Sequence, residues 1–243
     1  MKNSKIILFI FLITLVSKVA SAHYIWIEAA EQWTVGKTGT IKIYYGEYAE
    51  GAREEAGKRL EEVNGLTAWI VTPNGEKVNL SLQKMSNHFL AEYTPKAAGK
   101  FEIELTNLVR EVVDWTQYDI GLVQPTYYGH KAFYVGGKAE AKAKPTMRFQ
   151  IVPVEEKIVY SVNKPINLKL TYEGKDFKGK LMVYAPNTWM REVESKDGTY
   201  TFTPLEKGMY IVESIYKEKA PGTFKGKSYE AIRHRTTLAL TVQ

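Results

Sequence analysis

The chain repeats itself, and the repeat constrains its fold more than any other feature. "TVGKTGTIKIYYG" from Thr34 and "SVNKPINLKLTYEG" from Ser161 match at a constant offset of 127, pairing Val35 with Val162, Lys37 with Lys164, Lys42 with Lys169 and Tyr45 with Tyr172. Both segments alternate apolar and polar residues with the period of two that marks a half-buried strand. A second pair, "YTPKAAGKFEIEL" from Tyr93 and "FTPLEKGMYIVES" from Phe202, matches at offset 109. Each carries Thr-Pro, then a glycine four residues after the proline, then an alternating strand; Pro and Gly set a turn and the strand runs back across the sheet. The repeat predicts an all-β chain of two tandem immunoglobulin-like β-sandwich domains.

The offset falls by 18 between the two matches, which is the length of Glu47 to Asn64, "EYAEGAREEAGKRLEEVN". Ala52, Ala56, Leu60 and Val63 form a narrow apolar stripe, and Glu54 with Lys58 and Glu55 with Arg59 stand four apart, so the spacing predicts a short helical insertion near 47–64 in the first domain. Asn74-Gly75 and Asp197-Gly198 mark hairpins. The first domain is expected over 23–137, a small and charged linker over 138–146, and the second domain over 147–243. The last strands are read as "HKAFYV" from His130 and "HRTTLALTV" from His234, each opening on a histidine followed by a base.

Lys2 and Lys5, the eleven-residue apolar run Ile6 to Val16, and Ala20-Ser21-Ala22 match a secretory signal cleaved after Ala22. Eleven apolar residues fall short of the roughly 20 that span a bilayer. The expected mature chain of 221 residues is periplasmic or secreted, and losing three lysines and no acid lowers its formal charge from +6 to +3. Lys and Glu interleave without a basic stripe, which argues against nucleic-acid binding. The absence of cysteine excludes disulfides, thiolate metal sites and cysteine nucleophiles.

Cleavage after Ala22 would make His23 the first residue. Its α-amino nitrogen and ring Nδ1 would then both be available to one metal, a chelate no internal histidine can form. The chain holds three other histidines, His88, His130 and His234. His130 is the expected partner, because first and last strands of such sandwiches often run side by side; His234 would join if the domains pack laterally. An imidazole-rich set suits a divalent transition metal ion: Ni, Co, Cu or Zn. Binding is expected to weaken below about pH 6, because the ligands must be neutral. His88, in "MSNHFLAEY", reads as a hairpin-surface residue, and Glu28 and Glu47 as surface carboxylates near the histidines in sequence.

No Gly-x-Ser-x-Gly elbow, His-Glu-x-x-His pair or P-loop occurs, so the reading is of a binding protein and not an enzyme. A rival reading takes the chain as a structural or carbohydrate-binding surface module that presents aromatics, with Trp115 and Tyr118 the best placed for exposure. A third, an oxidative copper enzyme of the polysaccharide monooxygenase type, shares with this chain only the leading histidine and the β class.

"AHYIWIEA", "YYGEY" and "LMVYAPNTWMREVESKDGTYTFTPLEKGMYIVES" resemble an exported domain-of-unknown-function family often described as the periplasmic component of cobalt or nickel uptake systems. The resemblance covers nearly the whole mature chain. It implies an extracytoplasmic metal-handling role, with His23 and His234 falling where the family places histidines and a membrane metal transporter as partner. Tyr24 stands where many members carry an acidic residue.

Overall fold

The computed structural model describes residues 23–136 and 146–243. The expected signal peptide and all of the expected linker but Thr146 lie outside the described residues. The protein is all-β, and among the described residues its only helical elements are the 3-10 turns Arg59–Val63 and Thr116–Tyr118.

Seven principal strands build the first half: β1 (Tyr24–Glu28), β2 (Gly39–Glu47), β3 (Thr67–Val71), β4 (Lys77–Asn79), β5 (Phe89–Tyr93), β6 (Gly99–Asn107) and β7 (Leu122–Val135). Seven build the second: β8 (Phe149–Pro153), β9 (Ile166–Tyr172), β10 (Lys180–Tyr184), β11 (Met190–Lys196), β12 (Thr199–Phe202), β13 (Gly208–Glu218) and β14 (Ala231–Val242). The repeats land on equivalent strands. In β2, Ile41, Ile43 and Tyr45 point into a core while Thr40 and Lys42 face out; in β9, Ile166, Leu168 and Leu170 do the same around Lys169. The paired glycines Gly99 and Gly208 open β6 and β13 with φ of 148° and 136°, a region that favours glycine, and a Cβ on Gly208 would meet Pro186 at 2.8 Å. Both hairpins form, with Val71 facing Lys77 across Asn74-Gly75 and Lys196 facing Thr199 across Asp197-Gly198.

Each half closes on its own core, and both are immunoglobulin-like sandwiches. In the first, Ile25, Ile27, Ile41, Ile43 and Tyr45 of β1–β2 pack against Ile70, Phe101, Ile103, Leu105 and Phe133 of the facing sheet. In the second, Phe149, Ile151, Leu168 and Leu170 pack against Leu181, Val183, Tyr210, Val212, Leu238 and Leu240.

The halves are joined by backbone pairing. β7 runs parallel to β14 over Val123–His130 and Ala231–Leu238, so one sheet continues from β8 to β4 in the order β8-β9-β12-β11-β10-β13-β14-β7-β6-β3-β4. Successive side chains of a strand face opposite sides. The even residues of β14 (Leu238, Leu240, Val242) enter the second core, and on its odd side Thr237 Oγ1 donates to the Ile25 carbonyl at 2.6 Å. Tyr24, Trp26 and Tyr44, on the outer face of β1–β2, bury against Ile211 and Ala239, making a third, interdomain cluster. Buried Lys131 adds an ion pair to Glu31 at 3.2 Å and a hydrogen bond to Thr241 at 3.2 Å, tying the turn after β1 to both last strands.

Two local expectations are corrected. The insertion is mostly turn: Gly51 and Gly57 adopt φ of 68° and 75°, Ala52 and Ala56 are exposed, and only Leu60 and Val63 of the stripe are buried. Its charges pair three and five apart, Glu55 with Lys58 at 2.8 Å and Glu54 with Arg59 at 3.7 Å, instead of four apart as in an α-helix. The last strands begin earlier than read, so His130 lies within β7 and His234 within β14, and neither opens its strand.

Candidate functional site

His23 is the best-defined polar corner on the first strand. β1 and β2 pair antiparallel with Tyr24 opposite Gly46, and continuing that register sets His23 across from Glu47. The chain then turns back over Tyr48–Gly51 into a short bridge of Ala52–Arg53 on β2, and the Glu54 N–H donates to the Tyr45 carbonyl at 2.8 Å. That fold-back carries a second carboxylate to the imidazole. Nδ1 lies 3.1 Å from Glu47 Oε1, and Nε2 contacts Glu54 Oε1. The ring leans on Tyr45 with centroids 5.4 Å apart, and the residue is 7% exposed. From the second domain, Arg235 Nη1 donates to the His23 carbonyl.

Glu47 is the unusual member. Its Oε1 is buried and accepts no hydrogen bond of good geometry, although it sits at ion-pair distance from His23. Burial and then the neighbouring Glu50 carboxylate push its pKa up, with His23 opposing. A buried carboxylate oxygen left this way is short of positive partners.

The other sequence-selected histidines lie across the sheet. His130 and His234 are on even positions of β7 and β14, facing the second domain, whereas Arg235, which reaches His23, is on the odd side. His130 Nε2 donates to the Ile151 carbonyl at 2.6 Å. Its Nδ1 is 3.6 Å from Glu102 Oε2, too far for a hydrogen bond. Burial raises the Glu102 pKa, but His130 and Lys100 outweigh it and hold the carboxyl below its usual range. His234 uses both ring nitrogens: Nδ1 pairs with Thr126 Oγ1 at 2.8 Å and Nε2 with Glu218 Oε2 at 2.9 Å. Burial pushes its pKa down against the pull of Glu218, while the His234 hydrogen bond holds Glu218 low. The pair is therefore a neutral imidazole donating to a carboxylate and accepting from the threonine. Because His234 is in register with Thr126, His130 stands four residues, or about 13 Å, further along the parallel pair.

The structure thus does not bring His23, His130 and His234 together. Among the described residues no cluster of three or more His, Asp or Glu side chains is arranged to hold a metal ion. What it brings to His23 is carboxylate. Glu54 was concealed in the sequence by its place in an apparent helical charge pattern; Arg235 stood in view beside His234, but which face of β14 it took depended on register. His88 is half-buried, with Nδ1 2.8 Å from Asn87 Oδ1.

Fold and corner together define a two-domain, all-β immunoglobulin-like protein with a histidine–carboxylate cluster where its first strand begins. The chain belongs to the family described as Domain of unknown function (DUF4198), whose profile matches residues 20–218. Among solved structures it is similar to the fibronectin(III)-like modules of Clostridium thermocellum CbhA, at 9% identity over 89% of this chain and 94% of that one, with a TM-score of 0.22, a likeness too slight to bear on function. No curated protein matches the chain.

Proposed function

We propose that the protein is an exported binder of a divalent transition metal ion, nickel or cobalt in the first instance, which it passes to or buffers for a membrane transporter. The ion is held by the α-amino nitrogen and Nδ1 of His23 once the chain is cut after Ala22, with Glu47 as the third donor. The observation that carries this reading is the buried Glu47 Oε1, without a good hydrogen bond and 3.1 Å from His23 Nδ1. Two donors each about 2 Å from one ion, at angles between a right angle and the tetrahedral value, stand roughly 2.9–3.4 Å apart, so this separation suits ligation. Two nitrogens and one oxygen suit the borderline ions better than magnesium or calcium, which prefer all-oxygen shells. His130 and His234 have no part in this set, since each is engaged on the opposite face.

The test is calorimetry with Ni, Co, Cu and Zn on protein beginning at His23, beside protein that retains Ala22. One extra residue turns the amine into an amide and removes a donor. Affinity should fall at least tenfold for the extended chain, and equal affinities would remove the amino-terminal chelate from the account.

A further inference from the structure

The His23 corner opens onto a cleft of about 740 Å³ that both domains line. Five Lys or Arg side chains face it against three glutamates. Those glutamates are already engaged. Glu62 takes Arg59 at 2.9 Å, the Tyr45 hydroxyl at 3.0 Å and also Arg110; Glu61 takes Lys84 at 2.5 Å; Glu111 takes Lys225 at 2.9 Å.

Two arginines from odd positions of β14 are left with donors to spare. Arg233 makes no ion pair within 4 Å and no side-chain hydrogen bond among the described residues, with Glu213 attracting it only from a distance, and its guanidinium lies 5.4 Å from the Trp115 ring centroid. Arg235 is 2% exposed, its Nε paired with Glu213 at 2.6 Å, and its buried Nη2 has no partner. Burial, then Arg235, pushes the Arg233 guanidinium down to about 10, with Arg110 adding to the repulsion, so it stays charged at neutral pH. Desolvated cations with unmet donors are costly unless an anion meets them. The planar guanidinium fork matches carboxylate and phosphate oxygens in pairs. At the rim, Val109 and Tyr118 are 45% and 47% exposed, an apolar and partly flat surface beside the charged floor. The volume lies in the range of small-molecule sites.

We propose that this cleft binds a small organic oxyanion, a carboxylate or phosphate borne on a flat apolar group, with the anionic head on Arg233 and Arg235 and the apolar part against Val109 and Tyr118. The site uses neither Glu47 nor the amino terminus and does not depend on the metal reading.

The experiment titrates chain starting at His23, in buffer stripped of metals on a chelating resin, with 1-naphthoate, 1-naphthyl phosphate and the neutral 1-naphthalenemethanol. One or both anions should bind with Kd below about 1 mM, and the alcohol at least tenfold more weakly. The tighter anion identifies the head group. Arg233→Gln should weaken the anion at least tenfold, Arg233→Lys less, and raised salt should weaken it further. Should Arg233→Gln fail to fold by circular dichroism, Tyr118→Ala, at an exposed position, should weaken both naphthyl anions severalfold. The proposal is overturned if neither anion binds, if the alcohol binds as well as the acids, or if folded Arg233→Gln or Tyr118→Ala binds as wild type does.

Discussion

Replacing Arg235 by methionine isolates the contact that locks the second domain onto the first strand. Arg235 and Glu213 are each 2% exposed and paired at 2.6 Å, and Arg235 Nη1 also donates to the His23 carbonyl. Methionine keeps most of the apolar stem, so the loss is chiefly the cation. Glu213 would then be a buried carboxylate whose one side-chain hydrogen bond among the described residues comes from the Tyr184 hydroxyl at 2.8 Å. Removing one partner of such a pair costs about 3–5 kcal/mol. For a chain of this length each kcal/mol moves the midpoint by about 2–4 °C, so Arg235→Met should melt roughly 6–20 °C lower. Adding Glu213→Gln removes the stranded charge and should restore at least half of the loss, about 1.5–2.5 kcal/mol relative to Arg235→Met. Urea unfolding of wild type, both single variants and the double variant measures the cycle. A loss under about 1 kcal/mol for Arg235→Met would show that the ion pair carries little stability, and a double variant no more stable than Arg235→Met would show that the cost is packing and not charge.

Stability should also fall on acidification through the His234–Glu218 pair. Both folded pKa values are lowered, so the unfolded chain binds more protons, and the contribution is present above the ordinary values and lost as pH drops below about 6.5 for the imidazole and about 4.3 for the carboxyl. Denaturant midpoints between pH 7.5 and 4 should show the decline, and His234→Gln should flatten its upper part; an unchanged slope would count against the assignment. Gly46→Ala should both destabilise the fold and disturb the site. Gly46 has φ of 148° and a Cβ there would meet the Ala52 carbonyl oxygen at 2.3 Å, so the substitution should cost about 1–3 kcal/mol and, by moving Glu47, weaken nickel binding in the same titration. Wild-type stability and affinity in that variant would contradict the role given to the Glu47 side of the corner.

Much of the fold was legible because repetition and period-two patterning are local properties of the chain. The offset of 127 placed Lys42 and Lys169 on equivalent strands, and Asn74-Gly75 and Asp197-Gly198 located their turns. Misreadings arose where tertiary pairing overrode local signals. The last strand of the first domain was read from His130, yet "LVQPTYYG" before it is already extended along β14; Pro125 is tolerated because β6 does not pair with β7 until Lys131. The helical stripe failed because Gly51 and Gly57 supply left-handed turns and Ala52 instead bridges to Glu47. The site was the least legible part. That His23 meets Glu47 follows from the β1–β2 register, but that His234 and Arg235 serve opposite faces follows from the pairing of β14 with β7, which no short-range pattern encodes.

The proposed site places one ion on the amino terminus and side chain of His23 together with Glu47. Anomalous diffraction from crystals of nickel-loaded protein beginning at His23, collected at the nickel edge, tests it most directly. A single strong peak is expected about 2 Å from the His23 amino nitrogen, from its Nδ1 and from a Glu47 carboxylate oxygen. A peak on His130 or His234, or none at His23 in crystals grown with excess nickel, would contradict it.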